Sequence, residues 1–236
     1  MDGFGTIAFG VRSSQPDPRF MQCWTKLTLG ASRTGDKILT PAIEMPHHWA
    51  ATCLVRDFLD GTDCDMLLLV DDDMTFEPAD LVQLRDNPAN HDFGIVQALC
   101  CSRQPPHRPL VLLEAGTKYK PLENPREGSG TIEVGMVGLA FTLIRREVLL
   151  AVADTLDPDV LMFNWGMDGR GEDGTFCRTV RELGYLIGVD TTVSIGHRIK
   201  MEVKWDTKLC KAVYESYDNP TFLRLLFQRE DKQKGG

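Results

Sequence analysis

The sequence lacks both a surplus of positive charge and any long apolar run. Its 236 residues carry a formal net charge of −8, so no global positive field attracts nucleic acid or anionic lipid. The longest uninterrupted apolar stretches, such as Met66–Val70, are far shorter than the roughly 20 residues that a membrane-spanning helix needs. The N-terminus shows no secretory-signal pattern. We therefore expect a cytoplasmic protein without a membrane span.

Several common catalytic and metal-binding motifs are missing as well. The seven cysteines include no CxxC pair, which argues against a zinc ribbon or a disulfide framework. There is no P-loop, GxSxG or HExxH motif, and Gly3–Gly5 precedes a strand instead of following one, unlike a dinucleotide fingerprint. His47 and His48 are adjacent and lack the zinc-binding i,i+4 spacing. Phe76 stands where a calcium loop requires glycine.

What remains is a globular chain in which short apolar runs alternate with segments of helical period. This alternation is typical of α/β proteins. We predict strands over Phe4–Val11, Lys37–Leu39, Met66–Val70, Phe93–Leu99 and Tyr185–Val189, an extended segment over Leu110–Leu113, and strand segments within Ile132–Ile144. We predict helices over Pro18–Leu29, His48–Leu59, Arg146–Ala153, Glu172–Leu183 and from Pro78 onward. Residues 116–131 and 157–171 are predicted loops, and the chain after His197 is predicted to be irregular, with a short helix near Phe222–Phe227. We expect one domain over 1–236, with 201–236 as a C-terminal extension.

Three carboxylates follow the most apolar predicted strand. Met66–Val70 is apolar on both faces, as expected of a central strand covered by helices, and Asp71, Asp72 and Asp73 come directly after it. Ligand sites in open α/β sheets form outside the carboxyl ends of strands, and adjacent like charges repel unless a cation neutralises them. The triplet therefore indicates a site for a divalent cation and phosphates. The alternative is a solvated acidic turn before the helix at Pro78.

Two further elements carry chemically suitable side chains. Glu172 and Asp173 stand at the start of a predicted helix, whose dipole favours ionised carboxylates. An ionised carboxylate within hydrogen-bond reach of a hydroxyl acts as a general base, and the alternative role is helix capping. His197 follows a strand, and imidazole combines with carboxylate and phosphate oxygens in manganese sites. Alone, such a histidine is an ordinary surface or core residue.

In order along the chain, these elements match a known pattern. The strings LLLVDDDMTF, VGMVGLAFTLIRREVL and GEDGTFCRTVRELGYLIGVDTTVSIGH resemble the GT-A glycosyltransferases, especially small family-2-like enzymes of bacteria and phages. The resemblance covers roughly residues 4 to 200. It implies a Rossmann-like GT-A fold with a mixed central sheet flanked by helices. It also implies metal-dependent transfer of a sugar from a nucleoside-diphosphate sugar, such as a UDP-sugar, to an acceptor hydroxyl with inversion.

The resemblance also assigns residues to the donor side. Asp71 or Asp72 would contact the sugar nucleotide, and Asp73 would bind Mn2+ or Mg2+. His197 corresponds to a histidine that binds the metal in many members, and Asp71 is a further candidate metal ligand. Family members often carry an Ala-Arg-Asn-like stretch where this chain has Pro46–Ala50, so recognition of the nucleotide base is not assigned.

On the acceptor side, the resemblance assigns the inverting base to Asp173, with Glu172 as its neighbour. From their charge alone, Arg198 and Lys200 are candidates to contact the diphosphate, or they form a basic solvated edge. Trp165 either stacks on a sugar ring or packs in the core.

The acceptor itself cannot be identified from the sequence. It is a glycan, a small molecule or a hydroxymethylated base in phage DNA, and for DNA the candidate phosphate contacts are Arg103, His107 and Arg108. Two other functions stay open. A nucleotidyltransferase of related fold also places carboxylates and a metal around a nucleotide. A non-catalytic module would bind the sugar nucleotide without turnover.

Overall fold

A computed structural model describes residues 4–13, 18–103, 107–115, 118–122, 130–157, 160–167, 170–199, 201–206 and 211–216. The strands are β1 (Ile7–Ser13), β2 (Lys37–Ile38), β3 (Ala42–Ile43), β4 (Met66–Asp71), β5 (Met74–Thr75), β6 (Ile95–Leu99), β7 (Leu112–Ala115), β8 (Lys118–Pro121), β9 (Thr131–Glu133), β10 (Phe141–Arg145), β11 (Ile187–Ser194), β12 (Gly196–His197), β13 (Met201–Asp206) and β14 (Lys211–Ser216). The helices are α1 (Pro18–Gly30), α2 (His47–Gly61), α3 (Pro78–Asp86), α4 (Arg146–Ala153) and α5 (Glu172–Glu182), with a 3-10 turn at Pro88–Asn90.

The central sheet is mixed, with strand order β2-β1-β4-β10-β6-β11-β9 and β3 also paired with β1. Strands β2, β3 and β4 run parallel to β1, and β11 runs parallel to β6. Strand β10 lies antiparallel between β4 and β6, and β9 is antiparallel to β11. The predicted mixed α/β architecture is confirmed.

Helices cover both faces of this sheet. One core layer contains residues of α2, α4 and α5, and the other contains residues of α1 and α3. Strand β4 contributes to both layers: Leu67 and Leu69 pack on the first, and Met66, Leu68 and Val70 pack on the second. Burial of both faces explains why this strand is a continuous apolar run.

The parallel register of β1 and β4 places the ends of these strands side by side. Arg12 is the Cα partner of Asp71 in this pairing, and both lie at the carboxyl ends of their strands. Immediately after this edge, β5 pairs with β12 in an antiparallel ribbon that places His197 opposite Met74. At Gly196 of that ribbon, a Cβ would collide with the Thr75 hydroxyl, so glycine permits the close approach.

Several predictions about the less apolar segments were wrong. Strand β8 forms within residues 116–131, where we predicted only a loop, and pairs with β7. Strands β13 and β14 pair in the segment predicted to be irregular, and β11 extends five residues beyond its predicted end at Val189. Paired backbone groups hold these ribbons, and short segments of this kind carry little periodic signal. The predicted helix at Phe222–Phe227 lies outside the described residues.

No helix among the described residues is both long and apolar enough to cross a membrane. The described cysteines are all free thiols, and Cys23, Cys64, Cys100 and Cys177 are buried as packing residues. Cys101 is exposed.

A buried ion pair connects α3 to the turn before β2, and its backbone contacts extend to the start of β1. Arg85 donates from Nη1 to Asp36 Oδ2 (2.9 Å) and from Nη2 to Asp36 Oδ1 (3.0 Å), and both side chains are almost completely buried. Asp36 Oδ1 also accepts from the backbone N–H of Ile7 (2.8 Å), and Arg85 Nε donates to the carbonyl of Phe4 (3.3 Å). The pair is therefore satisfied on both sides, which is the condition for tolerating buried charge.

Replacing one partner should destabilise the fold strongly. We expect Asp36→Ala to lower the free energy of unfolding by about 3–5 kcal/mol, because Arg85 is left buried without its counter-ion. Urea denaturation measures this change. Asp86→Ala is the matched control, because it removes the exposed partner of Arg33 and should cost less than about 1 kcal/mol. Equal losses in the two variants would contradict a structural role for the buried pair.

Candidate active site

The candidate site lies at the carboxyl ends of β1 and β4, beside the first turn of α5 and the β5–β12 ribbon. Strand β1 supplies Arg12, and the turn after β4 supplies Asp73. Helix α5 supplies Asp173, and β12 supplies His197. The fold thus brings together the acidic triplet, the Glu-Asp pair and the histidine, which are far apart in the sequence.

Arg12 stands at the centre of this site and is only 2% exposed. Its Nε donates to Asp71 Oδ1 (2.7 Å), and its Nη2 donates to Asp71 Oδ2 (3.1 Å) and to the carbonyl of Leu139 (3.1 Å). Its Nη1 lies 3.5 Å from Asp173 Oδ1. One guanidinium therefore binds Asp71 of β4 in the planar bidentate geometry that only arginine provides, and it forms a longer ion pair with Asp173 of α5.

The charges around Arg12 shift the pKa of each partner. Burial opposes a charge on Arg12, but Asp71 and Asp173 outweigh it and raise the pKa of the guanidinium. Burial also raises the pKa of Asp71, although Arg12 acts in the opposite direction. Arg12 therefore stays charged, and the two carboxylates compete for it.

Burial raises the pKa of Asp173 to about 7, with Asp71 and Glu172 adding to the rise and Arg12 opposing it. The helix dipole, which favours the ionised form of this carboxylate, is not the dominant effect here. Burial and neighbouring negative charge outweigh the dipole, because desolvation penalises the charged form. A carboxylate that titrates near neutral pH is well matched to accept a proton from a hydroxyl.

Each aspartate of the acidic triplet has a different partner. Asp71 binds Arg12, and the hydroxyl of Ser13 donates to Asp72 Oδ2 (2.8 Å). Asp73 turns toward His197. The expectation that crowding alone demands a divalent cation was therefore too simple, because protein groups relieve the repulsion.

Asp73 keeps one oxygen without a partner. Its Oδ2 lies 3.2 Å from His197 Nε2 and 2.9 Å from Arg103 Nη1. Its Oδ1 is buried and has no hydrogen-bond partner among the residues described. Burial alone would raise the pKa of Asp73, but His197 and Arg103 lower it below its ordinary value. An ionised carboxylate with an unsatisfied buried oxygen is suited to bind a cation.

His197 is oriented by its backbone partner. Its Nδ1 lies 2.8 Å from the carbonyl oxygen of Cys101, so Nδ1 carries a proton and donates it. Its Nε2 then points to Asp73. Histidines that bind metals are commonly fixed in this way, with one ring nitrogen donating to a carbonyl and the other directed at the ion.

The donor set at this point fits a divalent cation that also binds a ligand. The described part of the chain has no group of three or more His, Cys, Asp or Glu residues arranged to hold a metal by themselves. Asp73 and His197 supply two ligands. Mg2+ is commonly held by one or two carboxylates together with water and phosphate oxygens, and Mn2+ accepts the same oxygen donors with imidazole. The two residues fit a cation shared with a diphosphate.

The other predicted residues occupy the surroundings. Glu172 is the first residue of α5 and is partly exposed. The backbone N–H of Arg198 donates to the carbonyl of Asp73 (2.8 Å), which places Arg198 beside the triplet. Lys200 lies outside the described residues. Trp165 is 64% exposed, so it does not pack in the core.

Arg12 is not among the site residues predicted from the sequence, because the predicted first strand ends at Val11. The available signal was a charged residue directly after a buried apolar run, in a strand expected to lie parallel to the one that ends at Asp71. His47 was also missed as a neighbour of the site. Its charge is the weakest of those that act on Asp71, and it lowers the pKa of that carboxyl.

A cavity of about 550 Å³ lies elsewhere, at the opposite edge of the sheet. It is lined by Arg145 and Arg146, but both guanidinium groups donate to backbone carbonyls, including those of Phe93 and Leu59. These arginines are therefore engaged in holding the fold. The carboxylates and the imidazole suited to catalysis meet instead around Arg12 and Asp73.

No protein-family model matches the chain, and no curated protein matches its sequence. Solved structures do resemble its fold. A197 from STIV superimposes with a TM-score of 0.55 at 17% identity, over 88% of this chain and 92% of that one. GalNAc-T7, crystallised with UDP, GalNAc and Mn2+, superimposes with a TM-score of 0.56 at 9% identity, over 82% of this chain and 43% of that one.

An inositol-1-phosphate CTP transferase from T. maritima is more distant, and its TM-score of 0.46 at 8% identity is too low to favour a nucleotidyltransferase. The identities to A197 and GalNAc-T7 are low, so these similarities concern the fold. The chain has a mixed α/β, Rossmann-like GT-A fold.

Proposed function

We propose that this protein is a metal-dependent glycosyltransferase that moves a sugar from a nucleoside-diphosphate sugar, such as a UDP-sugar, to an acceptor hydroxyl with inversion. One observation carries the proposal. Asp73 and His197, 124 residues apart, meet beside a buried Arg12 that also holds Asp173. The pair that would bind the cation and the carboxylate that would accept the proton therefore both lie near Arg12 and its partner Asp71. The similarity in fold to a protein crystallised with UDP and Mn2+ supports this assignment.

On the donor side, Asp73 and His197 would hold Mn2+ or Mg2+. When bound, the cation stabilises the negative charge that develops on the departing diphosphate. Arg198 lies next to this pair through its backbone bond to Asp73, and its guanidinium would contact the diphosphate together with Lys200. Asp71 gives both oxygens to Arg12, so its main task would be to hold that guanidinium. Asp71 and Asp72 would lie beside the sugar nucleotide.

On the acceptor side, Asp173 would accept the proton of the attacking hydroxyl. The acceptor O–H bond breaks and its proton passes to Asp173, while the acceptor oxygen forms a bond to the anomeric carbon of the donor sugar. The bond between that carbon and the diphosphate oxygen breaks, and its electron pair leaves with the diphosphate. Arg12, 3.5 Å from Asp173 Oδ1, stabilises the ionised form that must exist before the step. Glu172 adds negative charge near Asp173 and raises the pKa of that carboxyl, so the affinity of Asp173 for the proton stays high. The exposed face of Trp165 would receive a sugar ring of a glycan acceptor.

The metal-binding assignment predicts a linked effect on stability. We expect UDP together with Mn2+ to raise the thermal midpoint of the protein, and Asp73→Asn to lose the Mn2+-dependent part of that rise. The reason is that a ligand of the native state stabilises it, by about 2.7 kcal/mol at a hundred times its Kd. Differential scanning fluorimetry with UDP, Mn2+ and both measures the effect. Asp86→Asn, at an exposed pair, should behave as wild type. A full Mn2+-dependent rise in Asp73→Asn would refute the assignment.

The role of Asp173 predicts a defect in rate without a defect in donor binding. Asp173→Asn should reduce UDP release from UDP-hexoses in the presence of Mn2+ by about 10²- to 10⁴-fold, because the amide accepts no proton. The thermal rise with UDP and Mn2+ should persist in this variant. A variant that loses both signals equally would show that Asp173 holds the donor and does not act as a base.

The raised pKa of Asp173 also sets the direction of the pH dependence. Only the deprotonated carboxylate accepts a proton, and its fraction increases as pH rises through about 7. We therefore expect the rate of the wild type to rise between about pH 6 and pH 8 and then level off. Initial rates of UDP release in a series of buffers measure the profile. A rate that is already constant from pH 5 upward would contradict a base with this pKa.

A further inference from the structure

Arg103 forms an ion pair with Asp73, the carboxylate that the proposed metal would need. Its Nη1 lies 2.9 Å from Asp73 Oδ2, the same oxygen that His197 Nε2 approaches at 3.2 Å. Arg103 stands in the connection after β6 and comes from neither the β5–β12 ribbon nor α5. Asp73 thus has two protein partners on one oxygen and none, among the described residues, on the other.

The contact between Arg103 and Asp73 is of the kind that breaks easily. The side chain of Arg103 is 47% exposed, and ion pairs with one exposed partner contribute little because water and salt compete for them. Arg12 is the contrasting case, since it is buried and held by two carboxylate oxygens and a carbonyl. Of these two arginines, only Arg103 has a side chain that can leave its carboxylate without uncovering a buried charge.

The backbone around Arg103 is anchored independently of that contact. The N–H of Ser102 donates to the carbonyl of Arg108 (2.9 Å), and Cys101 forms an antiparallel bridge with Pro109. The carbonyl of Cys101 also holds His197 in place (2.8 Å). The Arg103 side chain could therefore move without a shift of its Cα and without a change in the orientation of His197.

A dication on Asp73 would repel a guanidinium on the same carboxylate, because like charges a few ångströms apart repel strongly in a partly buried site. The diphosphate that accompanies the cation carries the opposite charge and offers oxygens that arginine binds well. Both forces act in the same direction on Arg103. They draw it away from Asp73 and toward the phosphates.

We propose that Arg103 is a displaceable counter-ion, which neutralises Asp73 in the empty site and transfers to the diphosphate of the donor when a divalent cation binds Asp73. This inference rests on the proposed function, because it requires a cation and a nucleoside diphosphate at the same place. It adds a cationic contact for the diphosphate, from a residue predicted from the sequence only as a contact to the phosphates of DNA.

The proposal predicts effects of opposite sign from one substitution. Arg103→Gln removes a competitor for Asp73, so Mn2+ alone should bind about two- to fivefold more tightly than to wild type. The same change removes a charge-assisted contact, so UDP at saturating Mn2+ should bind about tenfold more weakly. Arg103→Lys keeps the positive charge and should lie between wild type and Arg103→Gln in both measurements.

The experiment is a pair of titrations on the full chain. Free Mn2+ is followed by electron paramagnetic resonance as protein is added, and UDP binding at saturating Mn2+ is followed by calorimetry. The matched control is Arg33→Gln, which removes one arginine from an exposed pair with Asp86, in the segment between α1 and β2. It should reproduce wild type in both titrations. Urea denaturation of each variant confirms that it is folded before the titrations are compared.

Each outcome decides the matter. Tighter Mn2+ binding with weaker UDP binding in Arg103→Gln supports the proposal. Mn2+ affinity equal to that of Arg33→Gln, or weakened binding of both ligands, overturns the displacement by Arg103 while leaving the metal site in place. If wild type binds no Mn2+, with or without UDP, the proposed function fails, and the role of Arg103 fails with it.

Discussion

The site depends on the pairing of Arg12 with Asp71 and Asp173. A buried guanidinium is tolerated only when its charge is neutralised and its N–H groups are bonded. Here Asp71 and the carbonyl of Leu139 accept from Arg12, and Asp173 adds a second negative charge 3.5 Å away. The pairing connects β1, β4, α5 and the segment before β10. It also separates Asp71 from Asp73, so neighbouring carboxylates can have different tasks. Removing the guanidinium would leave two buried carboxylates competing for protons, and the site would lose its organisation.

Around Arg12 the cleft divides into two halves with different chemical characters. In one half, His197 lowers the pKa of Asp73, which favours an ionised carboxylate able to bind a cation. In the other half, burial raises the pKa of Asp173, which favours exchange of a proton near neutral pH. Two carboxylates whose environments shift their pKa values in opposite directions are the arrangement by which one cleft combines charge stabilisation with proton transfer.

Local patterns predicted the elements that bury a periodic face. Helix α4 was predicted with its observed bounds, and β4 was recognised because it is apolar on both faces. Strand β8 and the hairpin β13–β14 were not predicted, because backbone pairing holds them and short segments show no distinct period. The candidate residues were found by type and order, but the partners were not. Arg12 and Asp71 are 59 residues apart, and only the parallel register of β1 and β4 brings them together.

The same long-range pairing explains why the acidic triplet was read too simply. From the sequence, three adjacent aspartates appear as one negative cluster that needs one cation. In the fold, each aspartate has its own partner, and the charge left for a ligand is concentrated on Oδ1 of Asp73. Arg12 is engaged by Asp71 and Asp173, and Arg103 is engaged by Asp73, so a bare diphosphate would have to compete with these carboxylates for its cationic partners. Under the proposed function, cation and diphosphate would therefore bind as a unit, since each supplies the charge that the other requires.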